Sequence, residues 1–158
     1  MKKAVTLAVL SFFIISCGKK ENSGGDFSTS KEETTTTSKS SSDYDPNRGI
    51  GKYENMELPA TLDHQLASAG ENAAGIKCLS CHKLNSERLV GPGWEGVTKR
   101  RTPEWIMNFI TNPDPMIDQD PELQAQLEIC LVRMPNQSVS DDEARSILEY
   151  MRKNDGVQ

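Results

Sequence analysis

The sequence predicts an all-α fold of about four to five short helices. Apolar residues recur at helical spacing in several segments. The plainest set is Ala144, Ile147, Leu148 and Met151, which follows i, i+3, i+4, i+7 and marks one face of a helix. Helix-starting chemistry stands before these segments: Thr102 with Pro103 and Glu104, Asp120 with Pro121, and the capping box of Ser140 with Glu143. No convincing strand pattern and no internal repeat appears.

Residues 1–16 read as a targeting segment. Lys2 and Lys3 form a basic start, and Ala4 to Ile15 is mostly apolar but too short to span a bilayer. The segment ends Ile14-Ile15-Ser16-Cys17, which resembles the lipobox of bacterial lipoproteins, with isoleucine where that family usually has leucine. The resemblance implies cleavage before Cys17 and lipidation of that cysteine. An ordinary secretory peptide with a chance cysteine is the alternative.

Of the 26 residues from Gly18 to Asp43, 12 are Ser or Thr, so the stretch cannot bury a core and predicts a disordered tether. A flexible chain of that size has a root-mean-square span of roughly 30 Å. Tyr44 to Pro59, punctuated by Pro46, Gly49 and Gly51, predicts an irregular arm. The expected organisation is a signal peptide at 1–16, a lipid-anchored tether and arm at 17–58, and a folded domain at 59–158.

Within the folded domain, Leu62, Leu66, Ala69 and Ala73 predict an amphipathic helix over 61–76. It leads into Cys78-Leu79-Ser80-Cys81-His82. Lys83 to Arg100 reads as a loop. A helix then runs from Thr102 to its stop at Asn112-Pro113, with Trp105 and Phe109 on one face and Ile106 and Ile110 on another. The helix begun at Asp120 carries Leu123, Leu127, Cys130 and Leu131 on one side, and Ser140 opens the last helix. About 100 residues of short helices make a thin core.

Formal net charge is −5; without Lys2 and Lys3, 16 basic residues face 23 acidic ones, a net of −7. That balance argues against nucleic acid or an anionic membrane surface as partner, and permits a docking partner with a basic patch.

Two cysteines with a two-residue gap and a histidine directly after them are the attachment signature of a c-type haem. Cysteines three apart lie about one helical turn apart. Both sulfurs can then form thioethers with the two vinyl groups of one porphyrin, and His82 supplies the proximal nitrogen ligand. Other readings fit less well. A zinc site needs a second ligand pair, and Cys17, Cys130 and His64 provide none at paired spacing. A thioredoxin-like motif needs a βαβ context. A disulfide between Cys78 and Cys81 leaves His82 unexplained. Thioether attachment also requires an exported protein, which agrees with the N-terminal segment.

With these residues the chain resembles the class I, monohaem cytochromes c in their small bacterial form, over about Asp63 to Arg152. Gly70 matches the first-helix glycine that lets the first and last helices cross closely in that family. Ile147 and Tyr150 match the aliphatic and aromatic pair of its last helix, whereas Ala74 stands where an aromatic residue is usual. The resemblance implies a small cytochrome c fold around one covalently bound haem. It implies that Pro92, in Gly91-Pro92, accepts a hydrogen bond from the second ring nitrogen of His82; a simple turn is the alternative. It further implies that Met134, in Met134-Pro135 before the last helix, is the distal ligand. Met116, expected in a loop without a following proline, is the reserve. Met107 is expected in the core and His64 at or near the surface. The expected cofactor-binding set is thus Cys78, Cys81, His82, Pro92 and Met134, with His82 and Met134 on the metal and no catalytic residue.

Cys130 reads as an inert buried thiol, with a disulfide-linked dimer as the alternative. Lys99, Arg100 and Arg101 either pair with haem propionates or form a solvated loop. Trp94 and Trp105 either line the pocket or hydrogen-bond a propionate through the indole N–H. The function implied is a membrane-anchored periplasmic one-electron carrier between respiratory complexes and a terminal oxidase or reductase, whose donor and acceptor are redox proteins. Two other readings stay open: a haem enzyme or gas sensor with an open sixth position, and a fixed cytochrome subunit of a larger complex. For the former, His64 is the sole histidine besides His82, so a distal histidine is poorly supported.

Overall fold

A computed structural model describes residues 44–158; the signal segment, Cys17 and the tether up to Asp43 lie outside the described residues. Among the described residues the regular elements are all helical: α1 (His64–Lys77), α2 (Val97–Arg100), α3 (Pro103–Thr111), α4 (Pro113–Gln119), α5 (Pro121–Cys130) and α6 (Asp141–Asn154). None of these helices is long and apolar enough to cross a membrane. Two elements go beyond the expected set. The single turn α2 forms inside the stretch read as loop. The stop signal Asn112-Pro113 also starts α4, because a proline lacking N–H suits the first position of a helix. Met116 therefore sits in α4 and not in a loop.

The caps read from the sequence form. Thr102 Oγ1 accepts from Trp105 N, Asp120 from the backbone N–H of Glu122 and Leu123, and Ser140 with Glu143 makes the reciprocal capping box. Asp63 caps α1 by accepting from Gln65 and Leu66 N–H.

Helices α1 and α6 cross at the centre. The buried face of α1 is Ala67, Gly70 and Ala74, one position along from the expected Leu66, Ala69 and Ala73, and Ala69 is exposed. The reason is the closeness of the crossing. A Cβ on Gly70 would lie 1.9 Å from the Ser146 carbonyl oxygen, so small residues face α6 and the larger Leu66 is pushed to the margin. Ala74 is fully buried where the family's aromatic residue is missing, and Ile147 and Tyr150 are buried on α6.

The crossing is tied by a buried charge. Glu149, with no exposed surface, accepts from Arg152 Nη1 at 2.7 and 3.0 Å, Arg145 Nη1 at 2.6 Å and the Asp63 N–H at 2.9 Å. Arg152 also donates to the Pro59 carbonyl at 2.5 Å. Burial raises the Glu149 carboxyl, but the Asp63 N–H and the two guanidinium groups outweigh it and hold the group below its ordinary value.

Residues 44–58 are irregular, as their composition suggests, and pack on the core through Ile50, Tyr53, Met56 and Leu58. Buried Asn108 of α3 is their main anchor: its Oδ1 accepts from Tyr53 N at 3.0 Å, and its Nδ2 donates to the carbonyls of Arg48 and Tyr53. Tyr53 OH reaches Asp141 at the start of α6, so the arm bridges α3 and α6. The dominant buried side chains are Trp105, Ile106, Met107, Met116, Ile147, Leu148 and Met151.

Candidate haem site

The last turn of α1 runs straight into Cys78-Leu79-Ser80-Cys81-His82. Cys78 N–H still donates to the Ala74 carbonyl, and the N–H groups of Cys81 and His82 both donate to the Cys78 carbonyl at 3.0 Å. This tight turn sets the two thiols and the imidazole together. Both cysteines are free and half-buried, and burial pushes the Cys78 thiol up to about 11.

His82 is oriented from behind. Its Nδ1 lies 2.8 Å from the Pro92 carbonyl oxygen. A carbonyl can only accept, so Nδ1 carries the proton and Nε2 keeps its lone pair for a metal. Burial lowers the imidazole's pKa, with the Pro92 contact opposing it, and favours the neutral form a ligand needs. The Trp94 ring packs beside it at 5.7 Å between centroids. Gly91 lets Pro92 come this close, since a Cβ there would lie 2.4 Å from His82 Cε1. The backbone secures the turn: Val90 and Gly91 N–H both donate to the Cys81 carbonyl, and Trp94 N–H donates to that of Lys83.

In front of His82 lies a cavity of about 350 Å³, adjoined by a second hollow of about 110 Å³. Both are bordered by Cys81, His82, Pro92, Phe109, Leu123 and Met134, so they form one crevice. Cys78, Trp94, Trp105, Ile106 and Met151 complete the wall of the larger part. The structure thus brings Cys78, Cys81, His82, Pro92 and Met134 to one cavity. Met107 and Met116 do not border it; both are buried core side chains, Met116 close against Gly49. His64 is exposed at the start of α1. Two thiols on one turn, a histidine nitrogen with a free lone pair and an apolar cleft fit a covalently attached haem.

Cys130 is half-buried and forms part of the wall of the smaller hollow, so the expected buried thiol is instead a crevice residue. Leu131, expected on the same apolar face, ends α5 in a left-handed conformation with 84% of its surface exposed. Arg100 and Arg101 border the cavity and Lys99 does not. Arg101 is already engaged, with its guanidinium 4.2 Å above the Trp105 ring and paired to Glu122 at 2.5 Å. The Trp105 indole N–H points to the Tyr44 hydroxyl and Asp120, each at 3.3 Å. Tyr44 OH in turn donates to Asp120 at 2.5 Å, and burial and Asp120 push its pKa upward. Sequence reading missed this Tyr44–Trp105–Asp120 contact. Its one signal, Asp120 before Pro121, pointed only to a helix cap.

The cytochrome c family model matches residues 67–155. This chain belongs to the cytochrome c family. It is a class I, c-type cytochrome, a family of haem-based electron carriers in which one haem is bound covalently through the paired cysteines, here Cys78 and Cys81. Solved structures agree. Cytochrome c from Rhodothermus marinus is 36% identical, with a TM-score of 0.63, covering 66% of this chain and 90% of that one. An engineered cytochrome c from the same organism, bound to a carbene intermediate (1-ethoxy-1-oxopropan-2-ylidene), is 36% identical with a TM-score of 0.61 and the same coverage. No curated protein matches the chain.

Proposed function

We propose that this cytochrome c is an exported one-electron carrier in which His82 and Met134 would both hold the haem iron. The observation that carries the reading is that Met134 borders both parts of the crevice together with His82. The other thioether on the wall, Met151, borders the larger part alone and lies within α6. When bound, the haem supplies one-electron chemistry between Fe(III) and Fe(II). The chain does the rest. Pro92 fixes the His82 ring and its tautomer, and raises the basicity of Nε2. Met134 presents a thioether, which favours Fe(II) relative to a second imidazole and so raises the potential. Phe109, Ile110 and Leu123 line the crevice with apolar surface.

Cys17, lipidated after cleavage of residues 1–16, would hold the domain to a membrane on the periplasmic side, with residues 17–58 as tether and arm and 59–158 as the cytochrome domain. A lipid group with several acyl chains is enough for stable anchoring. The acidic balance suits donor and acceptor proteins that present basic patches.

The competing reading, a haem enzyme or gas sensor, takes support from the engineered relative that is bound to a carbene intermediate. It requires Met134 to stay off the iron. Carbon monoxide separates the two: a closed reduced protein takes it up slowly if at all, while still reducing a small one-electron acceptor such as ferricyanide. Fast carbon monoxide binding would favour the open site. For the anchor, Cys17→Ser should move the protein from the membrane to the soluble fraction; continued detergent-dependent association would count against lipidation.

A further inference from the structure

The segment that carries Met134 lacks backbone support. No backbone–backbone hydrogen bond involves residues 132–137 among the described residues. The chain leaves α5 through Leu131 at φ 59 and regains regular structure at Asp141. Side chains must therefore supply what the backbone does not.

Arg133, next to Met134, supplies most of it. Its Nε donates to Asp114 Oδ1, Nη1 to Asp118 Oδ1 and Nη2 to the Asp114 carbonyl, each at 2.9 Å. Asp114 and Asp118 lie four apart on α4, so their carboxylates stand on one face and repel unless a cation joins them. Helix α4 is a firm base, with Pro113, Met116 and Ile117 buried. A planar guanidinium bonded along three directions has one allowed placement. A second tie, Lys77 Nζ to the Ser138 carbonyl at 3.3 Å, acts four residues beyond Met134.

We propose that Arg133, clasped by Asp114 and Asp118, is the positioning residue that holds the Met134 thioether against the haem iron. The proposal rests on Met134 being the distal ligand. The clasp biases an equilibrium between a seated and a lifted segment, and an exogenous ligand takes the sixth position only when the segment lifts. The apparent affinity for such a ligand scales with the lifted fraction. The clasp is solvent-exposed, so salt weakens it.

Imidazole titration of the oxidised full-length holoprotein tests this, followed by loss of the methionine–iron charge-transfer band where Met134 is present and by the shift of the main haem absorption band in every variant. Arg133→Ala, and separately Asp114→Asn with Asp118→Asn, should each raise imidazole affinity about fivefold, the scale of a small network of exposed ion pairs. Arg133→Lys keeps the charge but loses the fork and should fall between. Added salt should move the wild type toward the variants. In a Met134→Ala background, Arg133→Ala should leave imidazole affinity unchanged, because no thioether remains to displace. Unchanged affinity after Arg133→Ala in the otherwise wild-type protein would overturn the clasp. So would an equal rise in the Met134→Ala background, which would mark general loosening. Failure of the ligand reading is separate: it would appear in Met134→Ala alone, as a band that persists.

Discussion

The proximal and distal walls of the crevice use different bonds. Between Cys78 and Trp94 the backbone ties itself: the Cys78 and Cys81 carbonyls each accept two N–H groups, and the Pro92 carbonyl holds His82 Nδ1. Among the described residues no backbone pair involves residues 132–137, and the Arg133 side chain reaches across to α4 instead. A wall built by its own backbone needs its residues close in sequence. A wall held by side chains depends on what the fold brings near. The first resists local change, and the second can be loosened one ion pair at a time.

The largest expected effect falls on the proximal wall. Replacing Cys78 and Cys81 with serine removes both thioethers, so acid–acetone should extract all the haem and leave a polypeptide of unmodified mass. Haem still attached to that variant would break the assignment of the proximal wall.

Next comes the frame that both walls share. Glu149→Gln should cost about 3–5 kcal/mol, since it leaves two guanidinium groups beside a buried neutral amide. Chemical unfolding of the holoprotein measures it. The pH dependence follows from the sign. Glu149 is held below its ordinary value in the fold, so its contribution is present above the unfolded carboxyl value of about 4.5 and is lost as pH falls through the lower folded value. The Glu149→Gln variant should lack that acid-side loss. Parallel acid profiles for variant and wild type would show that Glu149 does not supply it.

Two small substitutions sharpen the contrast between the walls. Gly91→Ala drives a Cβ to within 2.4 Å of the His82 ring and should cost about 1–3 kcal/mol, with a shift in reduction potential as the ring moves. Leu131→Gly does the opposite on the distal side. It relieves a leucine held at φ 59 and removes an exposed apolar side chain, so stability should rise by about 1 kcal/mol. A stabilising Gly91→Ala, or a destabilising Leu131→Gly, would reverse the comparison.

This division also decided what could be read from the sequence. Cys78, Cys81 and His82 are legible because their chemistry is local. So are the capped helices, since Thr102, Asp120 and Ser140 act within three residues of themselves. The face of α1 was legible only to within one position, because periodicity cannot foresee that Gly70 must meet the Ser146 carbonyl. The helical setting of Met116 is not legible, because Pro113 both stops one helix and begins another. The Tyr44–Trp105–Asp120 contact and the Arg133 clasp join residues far apart in the chain, and no spacing announces them; Arg145, Glu149 and Arg152 do stand at helical spacing, but spacing alone does not show that the carboxylate is buried and tied to the Asp63 N–H. Met134 is marked in the sequence only by its resemblance to the family's pattern. The structure adds that it borders the crevice while Met116 and Met107 do not.

The most direct test of the central claim, an electron carrier closed by His82 and Met134, is the optical spectrum of the oxidised holoprotein beside its Met134→Ala and Met116→Leu variants. The wild type should show the methionine–iron charge-transfer band. Met134→Ala should lose it, with a lower reduction potential as a harder ligand replaces the thioether. Met116→Leu, which nearly conserves core volume, should retain it. A wild-type protein that lacks the band and binds carbon monoxide readily when reduced would contradict the claim.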